Sequence, residues 1–231
     1  MMLALISYIL LFVVALVYAT PIEKRALSKG IDVAGYQCNI DMVAQKKAGI
    51  TFAYVKATEG TTFRNSCFSK QYTGAYKAGI IHGAYHFARP DHSSGTAQAE
   101  FFLKNGGNWS ADGKTLPGML DMEYGPKGKT CWGLSASRMV AWVKEFSDYY
   151  HSKTGRYPTI YTGTNWWKEC TGNSAAFGKT NPLDVPHYAS SVGPLPAGWA
   201  HWTFWQYTSK PFDHDYFNGD QAALVRFAKG S

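Results

Sequence analysis

Short apolar and β-branched runs alternate with helical patterns along the first two thirds of the chain, and this rhythm restricts the fold more than any other feature of the sequence. The junction Lys-Ala-Gly-Ile occurs twice, at Lys47-Ala48-Gly49-Ile50 and at Lys77-Ala78-Gly79-Ile80. Gly at a helix C-terminus followed at once by a strand is an αβ junction, so its recurrence marks a repeated unit. Strands are expected at 30–34, 51–57, 81–87, 117–123 and 158–162, with helices at 41–48, from about 68 to the second junction, at 94–104 and at 135–154. In the last of these, Met139, Val140, Trp142, Val143, Phe146 and Tyr150 recur at helical spacing and read as core.

The rhythm breaks after the fifth strand. Strands are expected at 187–190, 203–207 and 213–217, but the segments between them are rich in Gly and Pro or very short. A parallel crossover needs about a dozen residues or more, usually helical, so these three strands are expected to form antiparallel hairpins before a closing helix at 220–229. Five βα units followed by three strands predict an α/β, TIM-like (β/α)5(β)3 barrel. That also suits a chain of 231 residues, since a complete (β/α)8 barrel typically needs about 250.

Residues 1–19 are apolar and nearly uncharged and end in Val17-Tyr18-Ala19, the pattern of a cleaved secretory signal. Residues 20–25 close on Lys24-Arg25, as a short pro-segment would, which leaves 26–231 as one domain exported to the extracellular space. The composition, 45% hydrophobic and 17% charged, supports a sizeable core and excludes disorder. The formal net charge of +7 is spread along the chain, so no nucleic-acid stripe is indicated; neither a nucleic-acid partner nor stable membrane association is expected once the signal is removed, and the domain is expected to be a monomer. Four cysteines in an oxidising compartment read as two disulfides. Loops after neighbouring strands lie side by side at one rim, which favours Cys38 with Cys67 and Cys131 with Cys170 among the three possible connectivities. Asn108-Trp109-Ser110 is the one standard glycosylation sequon.

In a barrel of this kind the site is built at the C-terminal ends of the strands, and the acidic residues fall there. In Leu120-Asp121-Met122-Glu123 a period of two places both acids on one face, with Cα atoms about 7 Å apart. Two carboxylates so placed in a partly enclosed mouth cannot both ionise freely. Glycoside hydrolysis uses that coupling: one acid stays protonated to serve the leaving oxygen while another carboxylate supports positive charge on the sugar. Glu123, nearer the rim, is the expected proton donor and Asp121 its partner, with Asp32 and Asp215 adding negative charge from strands one and eight. Asp213 and Glu59 read as structural, the first shaping the approach to the last strand and the second holding a loop. Aromatic side chains suit the apolar faces of sugar rings, and Tyr36, Tyr85, Phe87, Tyr124, Tyr161, Tyr188 and Trp205 are the candidate binders, with core packing as the alternative use of such residues. His86 could line the barrel or be a satisfied core histidine. No GxSxG elbow, phosphate-cradling Gly pattern or metal-ligand spacing is present, so no metal and no cofactor are expected.

These motifs together resemble the glycoside hydrolase family 25 lysozymes, the Chalaropsis type of muramidase, over essentially the whole of 26–231. The resemblance rests on Gly30-Ile31-Asp32-Val33 with Gln37, Lys56-Ala57-Thr58-Glu59-Gly60, Gly83-Ala84-Tyr85-His86-Phe87, Leu120-Asp121-Met122-Glu123, Pro158-Thr159-Ile160-Tyr161-Thr162, Trp205-Gln206-Tyr207 and Asp215 ahead of Phe217-Asn218-Gly219. It implies a barrel that cleaves the β-1,4 bond between N-acetylmuramic acid and N-acetylglucosamine in bacterial peptidoglycan, with the acids carried by Asp32, Asp121, Glu123 and Asp215. The Asp-x-Glu arrangement is similar to that of substrate-assisted enzymes, in which the sugar's own 2-acetamido oxygen attacks. The leader and pro-segment have a fungal look. A chitinase with a similar barrel and a sugar-binding barrel without catalysis are the competing readings; the first expects a longer Asp-rich run where Pro117-Gly118 stand, and the second has no need of an acid at Glu123.

Overall fold

A computed structural model describes residues 26–231. The signal and pro-segment assigned to 1–25 lie outside the described residues. Eight strands close into a barrel in the order β1 (Ser28–Val33), β2 (Ile50–Glu59), β4 (Ile81–Phe87), β5 (Met119–Met122), β6 (Thr159–Thr162), β7 (Leu183–Pro186), β8 (Phe204–Thr208) and β9 (His214–Phe217), with β9 pairing back onto β1. A ninth, β3 (Phe63–Arg64), folds back on the end of β2.

The helices form where caps and periodicity direct them. Asp41, Ser94, Ser135 and Asp220 cap α1 (Met42–Lys47), α3 (Gly95–Lys104), α4 (Ala136–Thr154) and α6 (Gln221–Lys229), each side chain accepting from backbone N–H groups of the first turn. Between them, α2 (Phe68–Lys77) follows β3, and α4 stops at Gly155, whose φ of 73° is the left-handed C-cap expected of glycine. A further helix, α5 (Thr164–Thr171), was not expected from the sequence. Its buried Trp166, Trp167 and Cys170 pack into the same core as Met139, Trp142, Val143 and Phe146 of α4.

Two expectations for the last third are corrected. The sixth barrel strand is Leu183–Pro186, not 187–190. Leu183 and Val185 enter the outer core, and that short alternation hides between Pro182 and Pro186. Nor is β7 part of a hairpin, for it runs parallel to both β6 and β8. The crossover, residues 187–203, has no helix, but Leu195, Trp199 and Trp202 anchor it to the core and the Trp199 indole donates to the Asn181 carbonyl at 2.8 Å. Within the closed barrel only the β8–β9 and β9–β1 pairs are antiparallel; the β2–β3 pair outside it is antiparallel as well. Both expected disulfides are present, Cys38–Cys67 and Cys131–Cys170.

The barrel interior is layered. On β2 the inward side chains run Phe52, Tyr54, Lys56; along β5 and just beyond it, Met119, Asp121, Glu123; along β9 and the residue before it, read upward, Phe217, Asp215, Asp213. Apolar rings fill the lower end and polar groups crown the upper one. Glycine makes the lower packing possible, since a Cβ on Gly30 would lie 2.1 Å from the Phe52 ring and one on Gly83 would lie 2.6 Å from that of Tyr54.

Candidate active site

Above the aromatic layer the strand ends enclose a cup of about 220 Å³, lined by Asp32, Lys56, Asp121, Glu123, Tyr161 and Asp213 among others. Asp121 and Glu123 face it together, as the period of two in β5 requires, while Leu120 and Met122 enter the outer core. Neighbouring strands bring Phe87, Asp121, Tyr161 and Asp184 to one level. The main chain of Glu123 is held by the Trp132 indole, which donates to its carbonyl at 2.9 Å. Trp132 itself sits at a φ of 58°, a left-handed conformation that a bulky residue adopts only where its surroundings enforce it. Trp132 follows Cys131, which is bridged to Cys170.

Burial dominates the electrostatics. The Asp121 carboxyl is pushed well above the ordinary range by burial and then by Glu123 beside it; Glu123 is raised by burial as well, against the pull of its hydrogen bond with Asp121 and of the Lys56 charge. Carboxyls side by side in so dry a place disfavour each other's ionisation. Beneath the opposite wall, Asp32, Asp184 and Asp215 bring carboxyl oxygens within 4.8 Å of one another, the one such acidic cluster among the described residues. Burial raises all three; for Asp32 the charges of Asp184 and Asp213 add to it, for Asp215 those of Asp32 and Asp184, and Asp184 is lifted to about 8. Oxygens of all three lack hydrogen-bond partners within the protein, and burial without partners favours their protonated forms.

Gln206 ties these groups together. Its Oε1 accepts from the hydroxyls of Tyr161 at 3.1 Å and Tyr188 at 2.7 Å, and its Nε2 donates to Asp32 at 3.4 Å.

The structure distributes the residues singled out in the sequence as follows. Asp32, Asp121, Glu123, Tyr36, Tyr85, Phe87 and Tyr161 line the cup, Tyr36 standing at its mouth almost fully exposed. Asp215 sits one layer below, under Asp213, which lines the cup in its place. Tyr124 and Tyr188 line an adjoining groove of about 410 Å³ that shares Glu123 and Tyr161 with the cup. Trp205 is a correction: on β8 it is Gln206 that faces inward, so Trp205 points out of the barrel, meets Trp202 edge-on and Tyr216 at a tilt, and donates to the His187 carbonyl. His86 is a core residue, held between Thr58 and Gln98 and kept neutral by burial, its titration lowered to about 4. Sequence reasoning missed Asp184, Gln206 and Lys56; for Lys56 and Gln206 the inward register of their strands was the available signal.

The family model for "Glycosyl hydrolases family 25" matches residues 31–215. An N,O-diacetylmuramidase of Arthroderma benhamiae is 54% identical over 217 residues, covering 92% of this chain and 92% of that protein. An N,O-diacetylmuramidase of a Chalaropsis species is 47% identical over 209 residues, 87% of this chain and 99% of its own length. The solved structure of a muramidase from Acremonium alcalophilum superimposes with a TM-score of 0.87 at 54% identity, covering 88% of this chain and all of that one.

Proposed function

Because the chain belongs to glycosyl hydrolase family 25 and is a glycoside hydrolase of the lysozyme type, we propose that it is an N-acetylmuramidase that cleaves the β-1,4 bond between N-acetylmuramic acid and N-acetylglucosamine in bacterial peptidoglycan, with retention and with assistance from the substrate's 2-acetamido group. One observation supports the chemical part of this reading: Asp121 and Glu123 share a face and a cup in which burial raises both carboxyls.

Glu123 is the outer of the two and meets the glycosidic oxygen, so it delivers the proton as that bond breaks. The acetamido oxygen attacks the anomeric carbon and closes an oxazolinium ring. Positive charge grows beside Asp121, which favours its ionised form there. Water then opens the ring, with Glu123 acting as base. On the opposite wall Asp32 lines the cup with Asp215 beneath it, and burial favours the neutral forms of both, so they bound the site as polar hydrogen-bonding groups. Tyr36, Tyr85, Phe87 and Tyr161 offer flat faces and hydroxyls to the sugar in the cup, and Tyr124 and Tyr188 do so in the adjoining groove. We also propose a monomeric, extracellular enzyme, the location being supported by the two disulfides. No helix among the described residues is long and apolar enough to cross a membrane.

Mass spectrometry of soluble fragments released from purified peptidoglycan tests the bond assignment: fragments with N-acetylmuramic acid at the new reducing end are expected, and N-acetylglucosamine there overturns it. A stable sugar adduct trapped on Asp121 would replace substrate assistance by a direct nucleophile. Release of reducing ends from chitin without clearing of bacterial walls would favour the chitinase reading.

A further inference from the structure

Lys56 is the one cation lining the cup, against Asp32, Asp121, Glu123 and Asp213. Its position is an unusual use of a lysine: the side chain is only 15% exposed, although the rim just above it is open to water. Three contacts fix the ammonium. Glu59 Oε2 accepts from it at 2.7 Å, and the rings of Phe87 and Phe63 lie 4.6 and 5.3 Å from it. Glu59 is fixed in turn, because its other oxygen accepts from Arg89, which pairs with Asp91 and lies 5.0 Å over the Trp132 ring. Two tethers therefore converge on the acid pair from one side. Trp132 holds the Glu123 carbonyl, and the Arg89–Glu59 chain holds Lys56.

An ammonium so committed acts on the reaction through its field. We propose that Lys56 is the fixed counter-ion of the Asp121–Glu123 pair, clamped by Glu59, and that this couple sets the pH window in which the enzyme works. Lys56 is thus a positioning residue, and Glu59, read from the sequence as holding a loop, is the clamp that keeps it in place. The inference rests on the glycosidase reading of the cup.

The groups that face Lys56 define what its removal exposes. Asp121 and Glu123 approach from β5, Asp32 from β1 and Asp213 from the turn before β9; Tyr85 of β4 and Tyr161 of β6 complete the wall as neutral hydroxyls. The Lys56 charge favours the ionised forms of Asp121 and Glu123, and that of Glu59 opposes ionisation of Glu123. The two members of the clamp therefore have opposite effects on the pair.

That opposition gives the test. The bell-shaped pH profile of saccharide release from soluble peptidoglycan fragments is recorded for the wild type, Lys56→Met, Lys56→Arg and Glu59→Gln. Lys56→Met is expected to move both limbs to higher pH by about one unit, because the acids lose the charge that favours their ionisation. Glu59→Gln is expected to move them to lower pH, and Lys56→Arg, which keeps the charge, to leave them in place. A Lys56→Met profile that only scales down with its limbs unmoved overturns the proposal, as does displacement of the same sign in both variants. Should Lys56→Met fail to fold, Glu59→Gln decides alone: limbs that stay put or rise overturn it. Failure of the wild type to release saccharide at any pH would instead remove the muramidase reading.

Discussion

The lower and upper halves of the barrel interior are built by the same strands and follow opposite rules. Below, Phe204 meets Phe52, Tyr54 and Phe217 at ring separations of 5.2, 5.6 and 5.3 Å, and the Tyr54 hydroxyl donates to the Pro117 carbonyl, so even its polar atom is satisfied. Two residues further up, about 6.6 Å along a strand, the same columns present Lys56, Asp121, Asp32 and Asp215, with Asp184 beside them and several carboxyl oxygens unpaired. The lower layer stabilises; the upper one crowds carboxyls in a dry place, where burial and proximity disfavour their ionisation. A cup so costly is tolerable because its floor is a close-packed aromatic plug that holds the strands at fixed spacing.

Breaking each half should give a different failure. Glu123→Gln is expected to lower the rate of saccharide release roughly 10³-fold with wall binding retained and Tm unchanged or raised, since an acid in the cup serves chemistry and not folding; near-normal turnover would remove Glu123 from the mechanism. Phe204→Ala in the plug is expected to cost about 3–5 kcal/mol in urea unfolding. A variant that stays folded and is as stable as the wild type would show that the plug does not carry the cup.

The floor of the cup sharpens the contrast through pH. Asp184, lifted to about 8, keeps a proton in the folded state that the unfolded chain releases at the ordinary carboxyl range. The folded state therefore binds more protons between these values, so the stabilisation is complete below about pH 4 and is lost as the pH climbs towards 8. Asp184→Asn is expected to flatten the fall of Tm across that window and to raise stability at pH 8 by on the order of 2 kcal/mol. A variant less stable than the wild type at pH 8 would mean that burial and the Asp213 charge do not hold the Asp184 carboxyl up. The smallest effect is expected outside the barrel. Trp205→Phe loses the hydrogen bond to His187 and about 1 kcal/mol of stability, with KM for peptidoglycan fragments unchanged; a raised KM would bring Trp205 back into the binding surface.

Much of this arrangement is legible in the chain itself. The repeated Lys-Ala-Gly-Ile junction, the Ser and Asp caps and the 3.6-residue spacing in α4 are local signals, and local backbone energetics made them reliable. The alternation in Leu120-Asp121-Met122-Glu123 likewise fixes that both acids share a face, because a strand can do nothing else with neighbours two apart.

What local signals could not settle was decided by closure of the sheet. The strand Leu183–Pro186 is too short and too framed by proline to announce itself, and only pairing with β6 and β8 makes it a strand. Trp205 and Gln206 have adjacent places in the sequence and opposite fates in the fold, since register alone chooses which of them faces the acids. The gathering of Asp32, Asp184 and Asp215, and the seat of Lys56 among the carboxyls, depend on residues far apart in the chain meeting across a closed barrel. Their charge states follow from that meeting, because burial and proximity are properties of the assembled interior.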